Sequence, residues 1–187
     1  MKDRFKTCQQ SRVQITELMA PSNSNFSGRV HGGHILLQII VDSVAFACAS
    51  KHSQNYCVTA SVNTVDFLQP IEVGELVSMK AQVNYVGRTS MVVGIRVESE
   101  NIQSGKVKHC NSSYFTMVAK DDNGHSVEVP GLILKNEEDL RRFTRSIERI
   151  KSKKERRDHF KESNFIMEEG MEMVKNNVKA KIDFQWN

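Results

Sequence analysis

Asp42 is the residue whose type and setting most clearly indicate chemistry. It is the only acidic residue between Glu17 and Asp66, and it lies within an apolar run from Ile35 to Ser50. A buried carboxylate is costly unless it is paired or used, and burial raises its pKa towards the range of a general base. The alternative is a structural aspartate that hydrogen-bonds a neighbouring backbone group.

An asparagine and a glycine pair precede this run. Asn25 lies among turn-forming residues, and its amide can polarise a carbonyl or orient a water, although loop asparagines also bond their own backbone. Gly32 and Gly33 stand where a helix is expected to begin. They allow close approach of a ligand to N–H groups that stabilise an oxyanion, and a tight turn explains them equally well.

Two histidines flank the glycine pair. His31 and His34 have no third ligand at the usual spacing, so the sequence predicts no metal site.

The bulk composition fits one globular domain. The chain has 187 residues, of which 39% are hydrophobic and 26% charged, and its net charge of +4 is too weak to indicate nucleic acid. Four cysteines without a CxxC pair predict buried thiols in a reducing compartment. The polar segment Met1 to Arg12 offers no signal peptide, which predicts a cytoplasmic protein. The apolar run is shorter than the roughly 20 residues that span a membrane, so no membrane association is expected.

Hydrophobic periodicity predicts one buried helix followed by a meander of strands. A first short strand is expected within Arg12 to Met19, then the helix over the apolar run, and alternating strands from Cys57 onwards. Asp122-Asn123-Gly124 predicts a turn that leads to a last strand, His125 to Val129. This order indicates an α+β fold in which the helix packs on an antiparallel sheet.

The composition changes after Pro130. Residues 135–187 are rich in charge, and Leu140, Phe143, Ile147 and Ile150 recur at helical spacing. We therefore predict a domain over residues 1–134 and a charged helical extension over residues 135–187. The basic run Lys151 to Arg157 is interpreted as a solvated helix face, with contact to nucleotide phosphates as the alternative.

Four segments, in order, resemble the hotdog-fold acyl-CoA thioesterases. They are Met19-Ala20-Pro21-x-x-x-Asn25-x-x-Gly28-x-Val30-His31-Gly32-Gly33, Ala47 to His52, Val65-Asp66-Phe67-Leu68-x-Pro70-Ile71-x-Val73-Gly74-Glu75, and Val86-Gly87-Arg88-Thr89-Ser90-Met91. Together they cover about Arg12 to Lys120.

The resemblance implies a sheet wrapped around one long central helix, and two such units that dimerise into a continuous sheet. It implies hydrolysis of fatty acyl-CoA to free acid and coenzyme A, in a dimer or a trimer of dimers. The active sites would lie between subunits, with the asparagine and the acid of one site on different subunits. Asp42 would act as general base, or as nucleophile through an anhydride, and Asn25 and Gly33 would also be catalytic. Residues expected to bind substrate are Gly32, His31, Gly87, Arg88, Thr89 and Ser90. No cofactor is implied, because coenzyme A is part of the substrate.

The chain departs from the family pattern in the position of its acid. The family places the acid seven residues after the second glycine, which is Ile40 here, and ten residues before the histidine of the Lys-His pair, which is Asp42 counted back from His52. Two residues turn an α-helical side chain by about 200°. Either a bulge or an altered helix start restores the register, or Asp42 points elsewhere.

Two other functions stay open at this point. A hotdog dehydratase would pair His31 with Asp42 and remove water from a 3-hydroxyacyl thioester. A non-catalytic acyl-CoA-binding module would be stabilised by ligand without turnover.

Overall fold

The computed structural model of the chain describes residues 4–25, 27–30, 43–63, 65–162, 166–176, 179 and 181. Met1–Ile147 form one compact unit and Glu148–Asn187 form a second. The predicted boundary at residue 134 remains a prediction.

Eight strands and three α-helices make up the described part of the chain. The strands are β1 (Phe5–Thr7), β2 (Val13–Leu18), β3 (Tyr56–Val62), β4 (Asp66–Phe67), β5 (Glu75–Val86), β6 (Ser90–Asn101), β7 (Lys106–Lys120) and β8 (Gly131–Ile133). The helices are α1 (Phe46–Ser53), α2 (Glu137–Glu162) and α3 (Met167–Lys175).

The main sheet is antiparallel, with the strand order β2-β5-β6-β7-β3 and with β4 also paired to β7. The period-two pattern of the sequence explains its faces, because alternate residues of a strand point to opposite sides. One face carries the core side chains Val77, Met79, Ala81, Val83, Met91, Val93, Ile95, Val97, Phe115, Met117 and Ala119. The fold class predicted from the sequence is therefore confirmed.

Helix α1 packs on this apolar face and contacts β3, β5, β6 and β7. Cys48 and Ala49 are fully buried there. The helix is preceded by a π-helical turn at residues 43–45, directly after Asp42. Residues 31–42, which include most of the predicted helix before this turn, lie outside the described residues.

A basic side chain closes the C-terminal end of α1. Lys6 is 6% exposed, and its ammonium donates to the carbonyl oxygens of His52 at 2.8 Å and Lys51 at 3.3 Å. Such a cation stabilises the helix end, where carbonyl groups lack helical partners. The buried His52 ring places Nε2 2.8 Å from the Pro130 carbonyl oxygen, and Nδ1 meets no hydrogen-bond partner among the described residues.

The strand predicted over His125 to Val129 is wrong. The turn before it is present, with Gly124 at φ +80°, but only Ser126 forms a bridge, to Lys120. The N–H of Val129 instead donates to the carbonyl of Arg88, and Pro130 has no N–H to extend a ladder. The last strand is β8, which pairs in parallel with β1.

The first part of α2 contacts β5. Gln82 donates to Asp139 at 3.3 Å, and the rings of Tyr85 and Phe143 lie 5.2 Å apart. The second unit contains the remainder of α2 and the helix α3, which has no buried residue.

All four cysteines are buried free thiols, as predicted. In the described part of the chain, no helix is long and apolar enough to cross a membrane.

Candidate active site

The side chain of Asn25 holds a tight turn in place. Its Oδ1 accepts hydrogen bonds from Ser27 N at 2.9 Å, Ser27 Oγ at 2.6 Å and Arg29 N at 3.3 Å. Gly28 closes the turn at φ +75°, a conformation that glycine adopts without strain. Because backbone N–H groups only donate, the oxygen must face them, and the amide nitrogen is the end left to donate elsewhere.

This turn is attached to the segment before β5. Arg29 pairs with Glu72 through a backbone bridge and an ion pair of 3.4 Å, and Val30 N donates to Ile71 O at 3.0 Å. The Asn25 turn therefore lies at the end of the sheet where β5 begins.

The predicted substrate-binding segment forms the connection between β5 and β6. Gly87 N donates to Ser90 O at 2.8 Å, and the carbonyls of Arg88 and Thr89 accept from Val129 N and Ala119 N. The backbone of this turn is thus fixed from three directions. The Arg88 side chain is exposed and available to an anion.

One chain does not bring the Asn25 turn and the Arg88 turn together. They stand at opposite ends of β5, whose twelve residues extend roughly 36 Å at about 3.3 Å per residue. A ligand that touched both turns of one chain would have to run the length of the sheet.

The other predicted residues fall outside the described part of the chain. They are His31, Gly32, Gly33 and Asp42, and His34 is also among them. Among the described residues, no cluster of His, Cys, Asp and Glu is arranged to hold a metal ion.

An apolar pocket of about 310 Å³ adjoins the Asn25 turn. Val30 and Ile71 lie at its inner side, and Phe67 and Leu68 are more than half exposed at its rim. Cys110 is also part of its lining, and burial raises the pKa of that thiol, which keeps it neutral. The pocket suits an apolar group such as a hydrocarbon chain.

A second cleft, of about 540 Å³, lies beside the C-terminal end of α1. Its lining includes Gln54, Tyr56, Lys120, Asp121 and Asp122. The two carboxylates disfavour an anionic ligand, so this cleft fits an acyl-CoA less well than the apolar pocket does.

Comparison with known proteins identifies the family. A model of the thioesterase superfamily matches residues 27–106. The chain is 32% identical over 152 residues to the uncharacterized acyl-CoA thioester hydrolase YkhA of Bacillus subtilis. The match covers 81% of this chain and 87% of that protein. The chain belongs to the thioesterase superfamily.

Solved structures of acyl-CoA thioesterases share the fold. An apo-hexameric acyl-CoA thioesterase has a TM-score of 0.78 and 34% identity, over 82% of this chain and 97% of that chain. The acyl-CoA hydrolase of Staphylococcus aureus, in complex with butyryl coenzyme A, coenzyme A and coenzyme A disulfide, has a TM-score of 0.76 and 30% identity, over 84% and 94%. Solved mutants of that enzyme replace an aspartate, an asparagine or a threonine by alanine. The hotdog fold and the class of thioester hydrolase, both predicted from the sequence, are confirmed.

The sequence did not predict a role for two features of this thioesterase. One is the apolar pocket, part of which is formed by the segment Val65 to Glu75, where the sequence showed only a family resemblance. The other is the buried carboxylate of Glu75, which contacts Ser99 and Lys108. Neither follows from spacing along the chain, since both depend on which strands lie side by side.

Proposed function

We propose that this thioesterase hydrolyses fatty acyl-CoA to free fatty acid and coenzyme A. The observation that carries the proposal is the geometry of Asn25. Three hydrogen bonds hold its amide oxygen in the turn, which leaves the amide nitrogen to donate elsewhere, and Val30, which follows the turn, lines an apolar pocket. A donor in this position can polarise the thioester carbonyl and stabilise the oxyanion that forms from it.

Asp42 is the proposed general base. It takes a proton from water, the hydroxyl oxygen attacks the thioester carbon, and the tetrahedral intermediate expels coenzyme A thiolate. Gly33 would contribute a backbone N–H to the oxyanion, with Gly32 and His31 close to the substrate. The π-helical turn at residues 43–45 supports Asp42 in this role, because π-bulges accommodate inserted residues and occur often at functional sites.

A threonine is the third residue type replaced in the S. aureus enzyme. In this chain, Thr59 is the proposed counterpart. It is exposed on β3, the strand after α1, where the register with β7 shifts. Its hydroxyl donates only to the weak acceptor Met117 Sδ, at 3.4 Å, among the bonds of the described residues.

The nucleotide is proposed to bind at the turn Gly87, Arg88, Thr89 and Ser90, through the guanidinium and the hydroxyl groups. Since one chain separates this turn from Asn25, we propose a site built between two subunits. The edge strand β3 supports a dimer, because it pairs on one side only within the described sheet and exposes Tyr56 by 63% and Val62 by 45%. A trimer of such dimers would match the hexameric state of the similar thioesterase.

We also propose a cytoplasmic location, which four buried free thiols support. No cofactor is needed beyond the coenzyme A of the substrate.

The test is release of free thiol from a panel of acyl-CoAs of short to long chain. Asp42→Asn should lower kcat by roughly 10²–10⁴, as loss of a general base does. Asn25→Ala should lower it by roughly 10²–10³, as loss of one oxyanion donor does. Asp122→Asn, which changes an exposed acid after β7, is the matched control and should retain wild-type kcat. Stabilisation by an acyl-CoA without thiol release would instead support a binding module. Loss of water from a 3-hydroxyacyl-CoA that requires His31 would support a dehydratase.

A further inference from the structure

A buried ionic cluster lies at the start of β5, at the end of the sheet to which the Asn25 turn is attached. Glu75 is 5% exposed, and its carboxylate pairs with the Lys108 ammonium at 2.8 Å and accepts from the Ser99 hydroxyl. Ser99 is 1% exposed. A carboxylate at this depth is costly to bury, so the residues around it must supply compensating contacts.

The same carboxylate also binds the backbone of the preceding turn. Glu75 Oε2 accepts the N–H of Glu72 at 2.9 Å, and Gly74 makes the turn between them at φ +86°. Burial alone would raise the pKa of Glu75, yet the bonds from Lys108, Ser99 and the Glu72 N–H hold that pKa below its ordinary value. The group therefore acts as a charged acceptor, the stronger kind of hydrogen-bond partner.

Glu72 is the residue to which the Asn25 turn is attached. It pairs with Arg29 through a backbone bridge and an ion pair, while the adjacent Ile71 O accepts from Val30 N. Arg29 in turn donates its N–H to Asn25 Oδ1, and its carbonyl accepts from Asn25 N at 2.7 Å. A continuous series of contacts thus joins Glu75 to Asn25 through Glu72 and Arg29.

We propose that Glu75 is a positioning residue that fixes the Asn25 turn for catalysis. The inference rests on the proposed catalytic role of Asn25. Lys108 and Ser99 anchor the carboxylate to β7 and β6, the two long central strands, so the turn takes its position from the rigid sheet. Displacing a catalytic group by about 1 Å can cost as much as 10²-fold in rate, which makes such an anchor effective.

The test is a double-mutant cycle on kcat between Glu75→Gln and Asn25→Ala. Glutamine keeps the size of the side chain but removes its charge. We expect Glu75→Gln to lower kcat by about ten-fold in the wild-type background, with KM changed much less. In the Asn25→Ala background it should lower kcat no further, because there is no amide left to position.

A role in stability alone would give the same fractional loss in both backgrounds, and that result would overturn the inference. Glu98→Gln is the matched control, since Glu98 lies on the neighbouring strand β6 and is also ion-paired, with Lys80 and Arg96, each at 2.6 Å. It should leave kcat unchanged in both backgrounds.

If Glu75→Gln does not fold, Ser99→Ala takes its place in the cycle, because it removes one bond to the carboxylate and retains the charge. The same non-additivity is expected, and a purely multiplicative effect would again refute the positioning role. An Asn25→Ala variant with full kcat would refute the proposed catalytic role of Asn25 itself. The two failures are therefore distinguished within one experiment.

Discussion

Replacing Asn25 by aspartate separates the two tasks of this side chain. The amide oxygen holds the turn through hydrogen bonds from Ser27 N, Ser27 Oγ and Arg29 N, and the amide nitrogen is the proposed donor to substrate. A carboxylate has the same shape and accepts the same three bonds, but it has no N–H to donate. Asn25→Asp should therefore keep the turn and lose the chemistry.

The size of the effect follows from the contacts. Loss of one oxyanion donor costs roughly 10²–10³ in kcat, or about 2.7–4 kcal/mol, and a negative charge beside the oxyanion adds to that loss. Stability should be unchanged or slightly increased, because hydrogen bonds to a charged acceptor are stronger. Asn25→Ala loses the donor and all three turn bonds, so it should lower kcat similarly and also reduce the free energy of unfolding by about 1 kcal/mol.

The assay is thiol release from a long-chain acyl-CoA, measured beside the melting temperature of each variant. Asn23→Asp is the matched control, because Asn23 lies two residues before Asn25 in the same loop. Its Oδ1 also accepts a backbone N–H bond, from Ala20 at 2.8 Å. It should leave kcat within a small factor of the wild type.

Wild-type kcat in Asn25→Asp would refute the reasoning, since the donor would then have no catalytic role. A melting temperature that fell as far in Asn25→Asp as in Asn25→Ala would show that the three bonds to Oδ1 do not hold the turn.

Three further outcomes are expected. Co-assembling Asp42→Asn with Asn25→Ala subunits should restore about a quarter of wild-type thiol release, because half of randomly mixed dimers would contain one intact site of two; a site within one chain would give none. Burial lowers the pKa of His52, so the imidazole binds a proton more weakly in the folded chain than in the unfolded chain. The melting temperature should therefore fall as pH drops below 6.5. His52→Asn should flatten that dependence between pH 7.5 and 5.5. Gly94→Ala should lower the free energy of unfolding in urea by about 1–3 kcal/mol, because the new methyl group would overlap the Asn84 amide.

The meander could be read from the sequence because its signal is local. Alternation over β5, β6 and β7 marks which side chains face the core, and a one-residue slip would expose all of them. The pairing of β1 with β8 carries no such signal, since each strand has three residues and more than a hundred residues separate them. The strand expected after Gly124 failed for a related reason, because Val129 bonds to a turn that is distant in sequence.

The candidate site also contains one part that the sequence predicted and one part that it did not. Asn25 was identified through the family resemblance, because its spacing alone did not distinguish a catalytic amide from one that bonds its own turn. The structure shows that the amide oxygen bonds the turn, which leaves the amide nitrogen for the proposed catalytic role. The cluster around Glu75 was not predictable, because it requires the register that sets Ser99 opposite both Val77 and Lys108. Sequence patterns predict faces, whereas polar networks depend on pairings.

The spacing of Asp42 from other residues does not by itself give the direction of its side chain. The two family spacings disagree by two residues, and on a regular α-helix that difference would turn the carboxylate by about 200°. The helix is not regular at this point, because residues 43–45 form a π-helical turn, whose i→i+5 bonds take up more residues than an α-helical turn. The count of ten back from His52 crosses that wide turn, so it does not translate into 100° per residue. Asp42 therefore stays the proposed base, and thiol release by the Asp42→Asn variant is the measurement that decides its role.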